Sequence, residues 1–219
     1  MDLYFSPMSS SFAVHLACLE AGLTPVLHLV EGKTKRLPDG RDYRQIVAHG
    51  IVPAVSLPDG GVLTELTAVL PYVADQAPAK HLAPRPDSPE RYRLIEWLAF
   101  IATELHKKHL QPVFGTNVAA DAGDWSRANV DPMFAHVARR LDRHDYLMDA
   151  FSVADCYLFW ALFVAPHGGL SLNAFPSLKG YVERIRARPS VTAALAIEVP
   201  LYTAAAAAGT VPVSRRAAT

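Results

Sequence analysis

Residues 77–87 carry three prolines, at positions 78, 84 and 86, and no other feature constrains the chain as strongly. Proline fixes φ and lacks an N–H, so neither a helix interior nor a central strand runs through such a stretch. It reads as a linker, and the pattern changes across it. Strand and helix signals alternate before it, whereas apolar residues recur at helical spacing after it. The expected organisation is a first domain over 1–77, a linker over 78–87, an all-helical domain over 88–199 and a tail over 200–219. Two small domains fit a length of 219 residues.

The first part spells β-α-β-β-β-α. Leu3-Tyr4-Phe5 is a short β-prone run ended by Ser6-Pro7. Ser9, Ser10 and Ser11 precede an apolar-periodic stretch that closes at Gly22, which is helix-capping chemistry at both ends. Residues 25–30 read as a second strand, and 31–44 as loop with a short helix. Val52 to Leu57 and Val62 to Thr64 flank Pro58-Asp59-Gly60-Gly61, a hairpin signal. Glu65 to Asp75 then reads as a helix, with Pro71 inside it as a source of a kink.

Past the linker, Ser88-Pro89 starts a helix in which Leu94, Leu98, Ile101 and Leu105 recur to about His109. A second helix is predicted over 125–147, and Ser152-Val153-Ala154-Asp155 is a capping-box pattern before an apolar run. Helices over 176–188 and 189–196 follow, then a weakly specified, alanine-rich tail after Val199.

Composition removes several classes of function. Hydrophobic residues make up 51% of the chain, enough for a sizeable core. The 21 basic and 21 acidic residues balance, so no global field favours nucleic acid. The alanine run 204–208 is too short to span a bilayer, and no charged, apolar leader opens the chain. Two cysteines, Cys18 and Cys156, make no disulfide framework. The expectation is a soluble cytoplasmic protein that binds neither nucleic acid nor membrane. There is no G-x-S-x-G, no P-loop and no dinucleotide fingerprint. His106 and His109 with Glu104 are a weak metal pattern, because a third well-placed ligand is lacking; no metal is expected.

Six stretches, in order and register, resemble the bacterial beta-class glutathione S-transferases: Leu3-Tyr4-Phe5-Ser6-Pro7, Gly50-Ile51-Val52-Pro53-Ala54, Leu63-Thr64-Glu65, Arg91-Tyr92-Arg93 with Glu96-Trp97-Leu98, Thr103-Glu104-Leu105-His106-Lys107, and Phe151-Ser152-Val153-Ala154-Asp155. The resemblance covers roughly residues 1–198. It implies a thioredoxin-like domain followed by an all-α domain, glutathione as co-substrate, a small hydrophobic electrophile and a homodimer.

The resemblance also implies roles for particular residues. Val52-Pro53 resembles the cis-proline turn of thioredoxin-like domains, whose backbone pairs with the cysteinyl part of glutathione by strand addition. Glu65 and the N–H groups of Leu66 and Thr67 stand at a helix N-terminus, suited to the γ-glutamyl carboxylate and ammonium. Lys35 corresponds to the contact for the glycyl carboxylate, Thr103, His106 and Lys107 to further glutathione contacts, and Phe100 to a wall of the electrophile site. Glutathione attacks as a thiolate, and a free thiol has a pKa of ~8.5, so a hydroxyl at the first helix that bonds the anion promotes the reaction. The family usually has cysteine where this chain has Ser10. Ser10 and Ser11 are therefore the candidates for serine-type thiolate stabilisation, with Ser9 behind them, and ordinary helix capping is the competing role of all three. Leu66 stands where the family often has serine or glycine, Ala99 where asparagine is common and Ile51 where glutamine is frequent, which leaves open a non-catalytic binding or interaction protein on the same fold. A glutathione-dependent reductase or lyase is a third reading.

Overall fold

The short apolar run near the N-terminus becomes one of the two inner strands of a mixed sheet. In the computed structural model, which describes residues 1–115, 118–119 and 121–210, β1 (Asp2–Phe5), β2 (Val26–Leu29), β3 (Ala54–Ser56) and β4 (Val62–Thr64) lie in the order β2-β1-β3-β4. β1 and β2 are parallel, with α1 (Ser11–Glu20) as their crossover; β3 runs antiparallel to β1, and β4 to β3. Tyr4 stands opposite Ala54, and Ala54 opposite Thr64. Strand alternation sends Leu3 and Phe5 to one face and Tyr4 to the other. Tyr4 packs there against a cluster of Val30, Leu37, Tyr43, Val47 and Ala54. α1 ends as its sequence predicts: Gly22 takes φ +72°, and the Leu23 N–H bonds the Cys18 C=O at 2.8 Å, the wrapped closure that a left-handed residue permits. α2 (Leu66–Asp75) follows β4 and runs through Pro71 without stopping.

The helical part begins with α3 (Pro89–Phe100), which continues without interruption into a ten-residue π-helix, Ile101–Leu110, and then α4 (Gln111–Phe114). The helix predicted to about His109 thus extends further, and its middle is wound more widely, with the Gln111 N–H reaching the His106 C=O five residues back. The single helix predicted over 125–147 is two, α5 (Ala122–Asn129) and α6 (Asp131–Leu141). Pro132 starts the second and has no N–H with which to continue the first. α7 (Val153–Val164) is apolar all round and buried along ten successive residues. Its first turn is tied by Asp155, whose Oδ2 accepts the Ser152 N–H (2.9 Å) and hydroxyl (3.0 Å), while Oδ1 accepts the Leu147 N–H (3.0 Å) and the Tyr181 hydroxyl (3.0 Å). Tyr181 comes from α8 (Pro176–Arg186).

The last helix, α9 (Pro189–Ala207), is longer than the 189–196 expected and takes in most of what read as tail; residues 211–219 of that tail lie outside the described residues. The chain divides into two compact units at Ala83/Pro84, and α9 belongs with the first, not with the helical unit Pro84–Arg188. The expected second domain, 88–199, therefore ends at its C-terminal side ten or so residues too late. α9 is long and apolar enough, by length and composition, to cross a membrane. It packs on α1 instead, burying Val191, Ala194 and its only charge, Glu198.

Candidate active site

The serines at the head of α1 have three different fates. Ser11 is fully buried; its hydroxyl donates to the Ser6 C=O (3.0 Å) and accepts the Ser6 N–H (3.2 Å). The Ser9 hydroxyl lies 2.8 Å from that of Ser11 and accepts the Ser11 N–H at 3.3 Å, while the Ser9 C=O takes the Phe12 N–H at 2.9 Å. Ser9 and Ser11 thus knit the 6–11 loop. Ser10 occupies the N-cap position in helical φ/ψ, and its side chain makes no capping bond. Among the described residues its hydroxyl has no hydrogen-bond partner. Of the three hydroxyls, it is the one left for a ligand, and it sits at the positive end of a helix. Neither thiol substitutes for it: Cys18 is buried in α1, where burial pushes its pKa up to about 12, and Cys156 is buried in α7 of the other unit.

The Val52-Pro53 bond is cis. No hydrogen bond from the described residues engages the Val52 N–H or C=O, although the neighbouring Ile51 C=O accepts the Tyr43 hydroxyl at 3.2 Å. Lys35 lies close to this segment: a Cβ on Gly50 would stand 3.4 Å from the Arg44 Cγ and 3.5 Å from the Lys35 Cγ, so Gly50 lets the two basic stems approach the backbone. Partial burial, with the Arg44 charge adding to it, holds the Lys35 ammonium below the usual lysine range. Glu65 is exposed and takes φ +67°, ψ 122°, a conformation that costs a non-glycine residue about 1–3 kcal/mol and clusters at functional sites. Its C=O accepts the Ala68 and Val69 N–H groups, its carboxylate caps nothing, and the Leu66 and Thr67 N–H groups at the head of α2 stay uncommitted among the described residues. The Leu66 side chain is turned into the core.

Within the helical unit, the π-helix carries the other predicted residues. Thr103 is exposed, and its hydroxyl bonds the Ala99 C=O at 3.0 Å. Lys108 is paired with Glu104 at 2.7 Å, whereas Lys107 is exposed without a partner among the described residues. His106 Nδ1 lies 2.7 Å from the Tyr157 hydroxyl, and its ring meets Trp160 edge-on at 4.8 Å. Burial, with the Lys107 charge adding to it, pushes the His106 pKa down to about 3. Phe100 packs against Trp97 and His136. His109 is committed elsewhere, stacked on Trp125 with Nδ1 3.2 Å from the Ser126 hydroxyl. No group of three metal-ligating side chains occurs among the described residues.

Two residues escape a reading of the sequence. Glu198 of α9 accepts the Met8 N–H (2.8 Å) on Oε2, and its Oε1 lies 2.8 Å from His15 Nδ1 of α1, with the carboxylate and the imidazole both buried. Burial raises the Glu198 pKa, opposed by its bonds to His15 and Met8. Met8, at φ +58°, belongs to the same loop as Ser10, so a helix distant in sequence fixes that loop. The available signal is a lone charge in an otherwise apolar helix, which asks for a partner.

A β-α-β-β-β-α unit with a cis-proline before its third strand, joined to an all-helical unit, defines the glutathione S-transferase fold. Residues 101–189 match the family model for the glutathione S-transferase C-terminal domain. The glutathione S-transferase GstA of Escherichia coli O157:H7 is 36% identical over 199 residues, covering 90% of this chain and 98% of that protein. A sphingomonad glutathione S-transferase complexed with glutathione aligns at TM-score 0.86 with 36% identity, over 91% of this chain and 99% of that one. The bacterial beta-class glutathione S-transferase of Sphingomonas chungbukensis aligns at TM-score 0.86 with 38% identity, over 90% of this chain and 98% of that one. The chain belongs to the glutathione S-transferase family.

Proposed function

We propose that this protein joins glutathione to a small apolar electrophile, with Ser10 as the group that stabilises the thiolate. The single observation that carries the serine assignment is the uncommitted Ser10 hydroxyl beside two serines whose hydroxyls are spent on the loop. In this reading, the Val52 N–H and C=O pair with the cysteinyl backbone, and the Leu66 and Thr67 N–H groups hold the γ-glutamyl carboxylate. Glu65 meets the ammonium, and Lys35 the glycyl carboxylate. Thr103, His106 and Lys107 are the helical unit's contribution to glutathione binding, and Phe100 contributes to the electrophile site. The Ser10 O–H donates to the sulfur anion, favouring it over the thiol. The sulfur then bonds the electrophilic carbon, and the leaving group departs with its electron pair. A homodimer in the cytoplasm completes the proposal.

The deciding experiment is calorimetric titration with reduced glutathione of the parent, Glu65→Ala and Ser10→Ala. Glu65→Ala weakens binding roughly tenfold or more, since the charge-assisted bond is worth about 1.5–3 kcal/mol. Ser10→Ala changes affinity little but raises the thiol pKa in the complex and lowers kcat. Absence of binding to the parent at millimolar glutathione overturns the proposal.

A further inference from the structure

His106 is held within the helical unit in a way that its role as a glutathione contact does not require. The π-helix places Ile101, Leu105 and Leu110 in the core and turns the His106 ring toward α7, where it meets two aromatic side chains one helical turn apart. Tyr157 and Trp160 are buried and stacked on each other, rings 6.0 Å apart, so the surface that His106 touches is itself fixed. Among the described residues, the polar contact on the His106 ring is the Tyr157 hydroxyl, 2.7 Å from Nδ1. A phenol is a far stronger acid than a neutral imidazole N–H, so the short bond is best made with the Tyr157 O–H donating and Nδ1 accepting. That leaves the ring proton on Nε2, pointing away from Tyr157.

We propose that Tyr157 is a positioning residue: its hydroxyl locks His106 as the Nε2–H tautomer, so that His106 serves glutathione as a neutral hydrogen-bond donor. The proposal rests on the reading that this chain uses glutathione and that His106 contacts it. Two neighbours bear on the ring's charge. Lys107 on the same helix opposes a second positive charge, and from α7 the titratable group that reaches the ring is Tyr157. Asp155, also on α7, is directed to Ser152, Leu147 and Tyr181. Protonation of Nδ1 would cost the ring its bond from Tyr157. With burial as the main opposition to the charge, the neutral state persists from about pH 8 down past about pH 5, a range in which an ordinary histidine titrates.

The test is long-range ¹⁵N NMR of His106 in the parent and in Tyr157→Phe, with steady-state kinetics on glutathione and a chloronitrobenzene. The phenylalanine keeps the packing and removes only the hydroxyl. In the parent, His106 reads as neutral with the proton on Nε2 throughout that pH range. In Tyr157→Phe the proton is no longer held on Nε2 alone, so the Nδ1–H tautomer becomes populated, and kcat/KM for glutathione falls about three- to tenfold. In a His106→Ala background, Tyr157→Phe has no further effect on kcat/KM. A parent His106 that is protonated at pH 6 or carries its proton on Nδ1 overturns the proposal, and so does a Tyr157→Phe effect that adds fully to His106→Ala. A parent with the expected NMR signature but no conjugation of glutathione overturns the functional reading instead, and with it any catalytic meaning of the lock.

Discussion

Three adjacent hydroxyls at the head of one helix do different work because only one of them makes no bond within the loop they build. Ser9 and Ser11 are consumed by bonds to each other and to Ser6, and Ser10 is not. A thiol at position 10 would inherit that position at a helix N-terminus, where thiolates are stabilised. Ser10→Cys is therefore expected to form a mixed disulfide with oxidised glutathione, seen as a mass increase of one glutathionyl group. The parent is expected to form none, since Cys18 and Cys156 are buried and the Cys18 thiol is pushed up to about 12. Glutathionylation of the parent under native conditions would contradict the assignment of the two cysteines as inert. At the same scale, Glu65 and Lys35 both hold positive φ without being glycine, a feature that no residue type announces.

At the scale of elements, Asp155 joins three segments: the head of α7, the turn at Leu147 and the Tyr181 hydroxyl of α8. Asp155→Ala removes the cap and leaves the buried Leu147 and Ser152 N–H groups without their acceptor, while the Tyr181 hydroxyl keeps the Asp155 C=O at 3.2 Å. Cap loss and orphaned groups together cost about 3 kcal/mol or more, measurable as a lower denaturant midpoint. An unchanged midpoint would show that the carboxylate is not the tie. This element was legible in the sequence, because Ser152-x-x-Asp155 is a local pattern with a local cause. So were β1 to β4, the hairpin turn, the cap at Gly22 and the place of Val52-Pro53. The break at Pro132 was legible too, but periodicity alone ran two helices together across it. The π-winding of Ile101–Leu110 was not legible, since the same apolar spacing suits an α-helix over so short a span. Nor was the bond from Tyr157 to His106, which joins residues 51 positions apart through tertiary packing.

Across the whole molecule, the first unit is discontinuous. α9 carries Glu198 to His15 and Met8, and Ser190 also bonds Glu20 at the end of α1. A fragment of residues 1–83 lacks that helix and exposes the buried His15, so it is expected to melt without a cooperative transition in circular dichroism. Adding α9 back through a flexible linker restores one; a cooperative melt of 1–83 alone would show that α9 is dispensable. Sequence placed α9 with the helices it follows, because connectivity is visible in a sequence and docking is not. The division at Ala83 and again before Pro189 bears on synthesis as well. A ribosome adds about 5–20 residues per second, and domains generally fold as units in the order they emerge. Here the sheet is translated first yet waits for its last helix, while the helical unit, contiguous in the chain, is complete before α9 is made. The order of completion is the reverse of the order of translation, and a nascent chain paused before Pro189 would display α1 uncovered to whatever the cell keeps near the ribosome exit.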